Sequence, residues 1–164
     1  MPFFLIGYMG CGKSTIGKKV SDRLGIPFLD LDLLIEKEIG MNIGDIFSKK
    51  GEGFFREKEK YVLNNYVFKS NVIVAVGGGT PCFYNNHSFM KATGITIYLK
   101  VSPDELVNRL QLDDKRPLLF NNKLNLKDFV ISNLSMREKE YMKSNYIIES
   151  DNISINDICK VINM

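Results

Sequence analysis

The stretch Gly7-Tyr8-Met9-Gly10-Cys11-Gly12-Lys13-Ser14-Thr15 constrains this chain more than any other. It follows the apolar run Phe3-Phe4-Leu5-Ile6 and opens into the helical pattern Ile16, Val20, Leu24. Buried strand, glycine loop and helix, in that order, are the context of a phosphate-binding P-loop. Glycines allow successive backbone N–H groups to turn inward, and the helix start adds positive partial charge, so Gly10 to Thr15 can cradle a polyphosphate. Lys13 reaches the β- and γ-phosphates of a bound triphosphate, and the Ser14 hydroxyl suits Mg²⁺, a hard cation that takes oxygen ligands. By average residue usage such a pattern arises by chance on the order of once per hundred chains of this length, and less often between a strand and a helix.

The rest of the chain repeats the strand–helix alternation. Helix Lys13 to Leu24 stops at Gly25, with Pro27 beyond it. Phe28 to Asp32 reads as a short strand ending in acid, Leu33 to Ile39 and Ile43 to Lys50 as helices, and Gly51-Glu52-Gly53 as a break before a longer helix from Phe54 to Phe68. Val72 to Val76 is a continuous β-branched run, the mark of a strand buried on both faces of a parallel sheet, and Gly77-Gly78-Gly79 follows it. Ile95 to Lys100 is a fourth strand. It feeds a helix with Ser102 as N-cap and Pro103 at its first position. A polar segment runs from Leu112 to Asn125, then a helix from Leu126 to about Lys143, strand Tyr146 to Ile148, and a last helix after Ser154. Five strands alternating with helices predict an α/β fold in three layers, with a five-stranded parallel sheet flanked by helices on both faces. Ligands of such sheets sit off the carboxyl ends of the strands, where the P-loop, Asp30, Asp32 and the triple glycine all fall.

Composition excludes several classes. The chain has 164 residues and a net charge of +3, and its length predicts one domain over residues 1–164. The mild charge fits small anionic ligands and asks for no nucleic acid. Three scattered cysteines, Cys11, Cys82 and Cys159, suit a reducing compartment. No apolar run approaches the length of a membrane span and no secretory signal stands at the N-terminus, so a cytoplasmic protein, working as a monomer, is expected.

A P-loop identifies a donor and not an acceptor. Asp30 and Asp32, two apart, share a face if the chain is extended there. Capping of the next helix explains Asp32 equally well. Arg56 and Glu59 read as an i,i+3 surface pair. Arg137 lies on the apolar stripe of Leu126, Phe129, Val130, Leu134 and Tyr141. An inward arginine needs an anion, either a structural carboxylate or a bound acid. His87 reads as a surface loop or helix-start residue.

These residues resemble the shikimate kinase family over essentially the whole chain. The resemblance is carried by Gly7 to Thr15, Asp30-Leu31-Asp32, Gly51-Glu52-Gly53-Phe54-Phe55-Arg56 with Glu59, Gly77 to Gly79, Arg116-Pro117-Leu118-Leu119, and Arg137 with Tyr141. It implies a P-loop kinase that phosphorylates the 3-hydroxyl of shikimate with ATP and Mg²⁺. Asp32 would then hold a ring hydroxyl beside the reacting oxygen, and Arg56 and Arg137 would bind the carboxylate. Gly78 and Gly79 would line the ring, with Phe47 and Phe55 near it. The resemblance also puts Asp30 beside Ser14 on the metal side, Arg109 beside adenine, and Arg116 in a lid over the phosphates (residues 112–125). An acceptor-binding segment spans residues 32–60. The family commonly has a small hydroxyl residue where this chain has Leu31, and the stretch near Asp151-Asn152 matches no adenine contact.

Two other readings remain open at this level. A kinase of another small anionic acceptor keeps the P-loop and lid but does not call for the triple glycine with both arginines. A GTP-dependent switch needs a guanine-reading Asn-Lys-x-Asp, and Asn122-Lys123-Leu124-Asn125 ends in the wrong residue. Asp22-Arg23-Leu24-Gly25 has a switch motif's letters but lies in the first helix and its cap.

Overall fold

The structure, a computed structural model, describes residues 1–68, 71–112 and 125–163. Strands β1 (Phe3–Ile6), β2 (Phe28–Asp30), β3 (Ile73–Ala75), β4 (Ile95–Lys100) and β5 (Tyr146–Glu149) form one sheet in the order β2-β3-β1-β4-β5. Every pairing is parallel. β1 is central, and all four of its residues are buried, as expected of a strand covered on both faces. Helices α1 (Lys13–Leu24), α2 (Leu31–Ile39), α3 (Ile43–Asn65), α4 (Asn86–Thr93), α5 (Pro103–Gln111), α6 (Leu126–Tyr141) and α7 (Ile155–Ile162) surround it. Helix α1 packs on β3 and against α7, α2 on α3, and α5 on α6. Among the described residues, no helix is long and apolar enough to cross a membrane.

The topology fixes where the site must be. The connection from β1 runs through α1 to β2 at one edge, while β3 returns to lie between them. The loops after β1 and β3 therefore leave the same end of adjacent strands, at a switch point of the sheet.

Beyond shifts of a few residues at the ends of β3, α3 and β5, two boundaries differ from those read in the sequence, each for a local reason. The strand read as Phe28 to Asp32 stops at Asp30, because the Asp30 side chain caps α2 by accepting the Asp32 N–H at 3.0 Å. Asp30 is thus the cap, and Asp32 stands in the first turn of α2, not on a strand face shared with Asp30. The two helices read on either side of residues 51–53 are joined as α3, with Gly51 alone in a non-helical conformation (φ 82°, ψ 168°). Helix starts are as read elsewhere: Ser102 accepts from the Glu105 N–H, and Ser154 and Asp157 form a capping box. The lid segment 112–125 lies almost wholly outside the described residues, as do Arg116 and the Asn122–Leu124 stretch.

Gly94 shows how tightly the sheet edge is fitted. A Cβ there would run into the Pro2 carbonyl, which accepts the Ile95 N–H at 2.9 Å, and would stand 2.8 Å from the Phe4 ring. The backbone itself must move, so Gly94→Ala is expected to lower stability by about 1–3 kcal/mol. Urea unfolding would register this as a lower midpoint at unchanged slope; a midpoint equal to that of the parent protein would contradict it.

Candidate active site

The loop after β1 is shaped by backbone that side chains other than glycine rarely adopt. Gly10 and Gly12 have φ of 83° and 95°, and Gly12 caps α1. Lys13 is buried and folds back over the loop, donating from Nζ to the carbonyls of Gly7 at 2.7 Å and Tyr8 at 3.1 Å. Ser14 and Thr15 are exposed at the start of α1. The Ser14 hydroxyl donates to Asp30 Oδ2 at 2.6 Å, which puts two hard oxygen donors side by side at the loop mouth.

Asp32 faces the same cleft, a cavity of about 300 Å³ lined also by Met9, Lys13, Ser14 and Gly77-Gly78. Burial pushes its carboxyl up to about 6, with the negative charges of Asp30 and Glu59 adding to the effect and Lys13 and Arg56 opposing it. Its Oδ1 is buried and has no hydrogen-bond partner among the described residues.

The arginine on α3 is not the surface ion pair read in the sequence. Arg56 is 7% exposed and Glu59 is fully buried, because this turn of α3 faces the loop after β3. Arg56 Nη1 donates to Glu59 Oε2 at 2.8 Å, and Thr80 Oγ1 donates to Glu59 Oε1 at 2.6 Å. Asn86 in turn donates to the Thr80 carbonyl at 3.0 Å. The guanidinium lies over the Phe83 ring, 4.2 Å from its centroid. Phe47 and Phe55 pack together with centroids 4.7 Å apart, and the Phe55 ring also lies against Arg56.

Helix α6 turns Leu126, Val130, Leu134 and Tyr141 into the core and carries partly buried Arg137 on that side. The Arg137 guanidinium stands 5.6 Å from the centroid of Tyr8. Among the described residues no carboxylate lies within ion-pair distance of it. Tyr141 donates its hydroxyl to the Gly78 carbonyl.

The triple glycine is the meeting point of these groups. A Cβ on Gly77 would press on Asp32 Oδ1 at 3.1 Å and Glu59 Oε1 at 3.2 Å. One on Gly78 would lie 3.5 Å from Arg137 Nη1, and one on Gly79 would overlap the Arg56 guanidinium. Gly77 and Gly79 thus leave room for the side chains packed on them, while Gly78 lies in ordinary contact with Arg137. Gly78 and Gly79 were expected here; the role of Gly77 was not read from the sequence.

A second cavity, of about 350 Å³, opens on the other side of the loop between Cys11, Thr15, Lys19, Arg109 and residues 152–155. Arg109 is held there by Glu105 at 2.7 Å and donates to the carbonyls of Gly10 and Asp151. The sequence left residues 152–155 unassigned because their place beside Arg109 depends on the turn after β5. His87, read as a surface loop or helix-start residue, does stand at the start of α4 but is buried there, and burial pushes its imidazole down. Glu52, Thr80 and Tyr8 were also missed as site-supporting residues. Only Glu52, four residues before Arg56, left a readable signal.

A phosphate-cradling loop, a hydroxyl–carboxylate pair suited to a divalent ion and a buried carboxylate beside a glycine loop that also meets two arginines define a P-loop phosphotransferase acting on a small acceptor. The family model described as SKI, shikimate kinase, matches residues 9–163. A shikimate kinase of Flavobacterium psychrophilum is 44% identical over 162 residues, 96% of this chain and 94% of its own. The crystal structure of shikimate kinase from Bacteroides thetaiotaomicron superposes with a TM-score of 0.93 at 37% identity, covering 100% of this chain and 99% of that one. That of Acinetobacter baumannii shikimate kinase, in complex with shikimate, gives 0.87 at 34% identity over 99% and 90%. The chain belongs to the shikimate kinase family.

The raised Asp32 carboxyl has a consequence for stability. The folded protein binds this proton more tightly than the unfolded chain, whose ordinary value is 3.8. The contribution is therefore greatest below pH 4 and is lost as pH rises through about 6. Asp32→Asn removes that loss. It should stabilise the fold at pH 8 by up to about 3 kcal/mol and leave it unchanged near pH 3. Equal gains at both pH values, measured by chemical denaturation, would contradict the assignment.

Proposed function

We propose that this enzyme phosphorylates the 3-hydroxyl of shikimate with ATP and Mg²⁺, one step in the synthesis of aromatic amino acids. It would act as a monomer whose single domain spans residues 1–164. The observation that carries the reading is the gathering of Asp32, Arg56 and Arg137 around Gly77-Gly78-Gly79, within reach of the P-loop. Two planar guanidinium forks suit a carboxylate better than lysines do. Asp32 suits a hydroxyl that must lose its proton. A nucleoside monophosphate or gluconate acceptor would leave this combination unexplained.

The donor side follows from the same geometry. Gly10 to Thr15 hold the phosphates, with the adenine in the cleft beside Arg109 and residues 152–155. Among the described residues no three His, Cys, Asp or Glu side chains converge as a metal cage. The Ser14–Asp30 pair nevertheless fits Mg²⁺, which keeps several waters and shares its ligands with substrate phosphates. Held by Ser14 and Asp30, such an ion would supply positive charge against the phosphates of the nucleotide.

Phosphoryl transfer passes through a loose transition state, so placement and electrostatics outweigh base strength. The shikimate hydroxyl oxygen attacks the γ-phosphorus in line as the bond to the β–γ bridging oxygen breaks, releasing ADP. Asp32 is largely ionised at pH 7 with its carboxyl at about 6. It orients the hydroxyl through the otherwise unpartnered Oδ1 and takes the proton late. Lys13 leaves the Gly7 and Tyr8 carbonyls for the transferring group. Arg116, which the family resemblance places over the phosphates, lies outside the described residues.

A coupled assay of ADP release tests the reading directly. Release should depend on shikimate, and release that ignores shikimate or prefers gluconate would refute it. Within the site, Arg137→Lys should raise the KM for shikimate by roughly 10- to 100-fold, the cost of a lost bidentate charge-assisted pair, with little change in the KM for ATP. Equal losses for both substrates would remove Arg137 from the acceptor site. Asp32→Asn should lower kcat by roughly 10²- to 10⁴-fold with the fold intact.

A further inference from the structure

Arg56 is held by two carboxylates of different character. Glu59 is fully buried, pairs with Nη1 at 2.8 Å and is fixed from behind by the Thr80 hydroxyl. Glu52 approaches from outside. Its side chain is 55% exposed, and one oxygen, Oε1, accepts from both Nε and Nη2 at 3.2 Å each. Those are longer contacts than the Glu59 bond, and its second oxygen takes no part in them. Gly79 packs on the same guanidinium: a Cβ there would overlap Nη2 and fall 2.7 Å from Cζ and 2.8 Å from Nη1. Glu52 directly follows Gly51, whose φ of 82° interrupts α3 and leaves this residue at a break in the helix.

We propose that Glu52 is a placeholder: its carboxylate occupies the Nε/Nη2 edge of Arg56 until the carboxylate of the acceptor displaces it. The inference rests on the reading of Arg56 as an acceptor-binding residue. The physical logic is that of an arginine whose side chain is only 9% exposed, with Nη1 neutralised by Glu59 and the Nε/Nη2 edge held by a half-exposed carboxylate. An arginine so placed needs a partner on that edge when no substrate is bound. An exposed glutamate supplies one weakly enough to be exchanged. Glu59 is excluded from the exchange by its burial and by its bond from Thr80, so it sets the position of the fork while Glu52 sets its availability. The apparent dissociation constant is then the intrinsic one divided by the fraction of molecules whose fork is free. Glu52 is a positioning residue acting against the substrate, and its removal should help binding.

The test compares the full chain with its Glu52→Gln, Glu52→Ala and Arg56→Lys variants. Shikimate affinity is measured by calorimetry without nucleotide, and KM and kcat are measured at saturating MgATP. Both Glu52 variants should bind shikimate tighter by roughly two- to five-fold, the range of a half-exposed ion pair. KM should fall by the same factor, with the effect on KM and not on kcat. A purely structural role for Glu52 would lower the melting temperature without tightening binding. If Glu52 instead holds Arg56 in place for the substrate, binding weakens. Unchanged or weaker binding in the Glu52 variants, with Arg56→Lys weakening binding as expected, overturns the placeholder and leaves the proposed function standing. If Arg56→Lys has no effect on shikimate, the assignment of Arg56 falls and the placeholder falls with it.

Discussion

A carboxylate kept out of water with one oxygen unpartnered is costly, and the rim of this sheet is arranged to keep Asp32 in that condition. Two features do it. The Asp30 side chain starts α2 two residues early, which turns Asp32 off the strand and into the first turn of a helix. The loop after β3 then packs Gly77 against the carboxyl, so no side chain from that loop fills the space beside Oδ1. The free energy withheld there becomes available when a hydroxyl arrives to hydrogen-bond that oxygen. On the proposed function, that gain favours binding of the acceptor hydroxyl, and it speeds transfer only as far as the bond strengthens in the transition state.

The other charges at the rim are handled differently, and the contrast follows from their depth. Lys13 is buried but rests on two backbone carbonyls, which can be given up for phosphate oxygens with little rearrangement. Glu59 is deeper still and fully satisfied by Arg56 and Thr80, so it forms part of the scaffold. Arg137, only partly buried, is supported by the Tyr8 ring. A guanidinium on an aromatic face keeps its donors in plane and free for a bidentate anion. Fold alone would not choose an acceptor, since P-loop sheets serve many; on the proposed function that choice falls to Asp32, Arg56 and Arg137.

Much of this was legible in the sequence because it is local. The P-loop, the strand runs, the caps at Ser102 and Ser154 and the break at Gly51 are each written within a few residues, and short-range sterics decide them. Arg137 could be singled out because helical periodicity placed it among Leu126, Val130, Leu134 and Tyr141. The depth of Arg56 and Glu59 was not legible: their spacing of three is that of any surface pair, and only the packing of α3 on the Thr80 turn buries them. The burial of His87 was not legible for the same reason, since a lone histidine at a helix start carries no signal of what lies above it. The capping of α2 fell to Asp30 and not to Asp32, the alternative read in the sequence, because either could cap and the choice turned on a single hydrogen bond. Residues 152–155 approach Arg109 only through the order of strands β4 and β5, which no local pattern encodes.

The account depends on Asp32 waiting in an unfavourable environment, and the carboxyl carbon of that residue reports the environment directly. A ¹³C NMR titration of the substrate-free protein should show the Asp32 carboxyl changing protonation at about 6. A midpoint near the ordinary aspartate value of about 3.9 would mean that the carboxylate is comfortably solvated or paired, and would contradict the central claim.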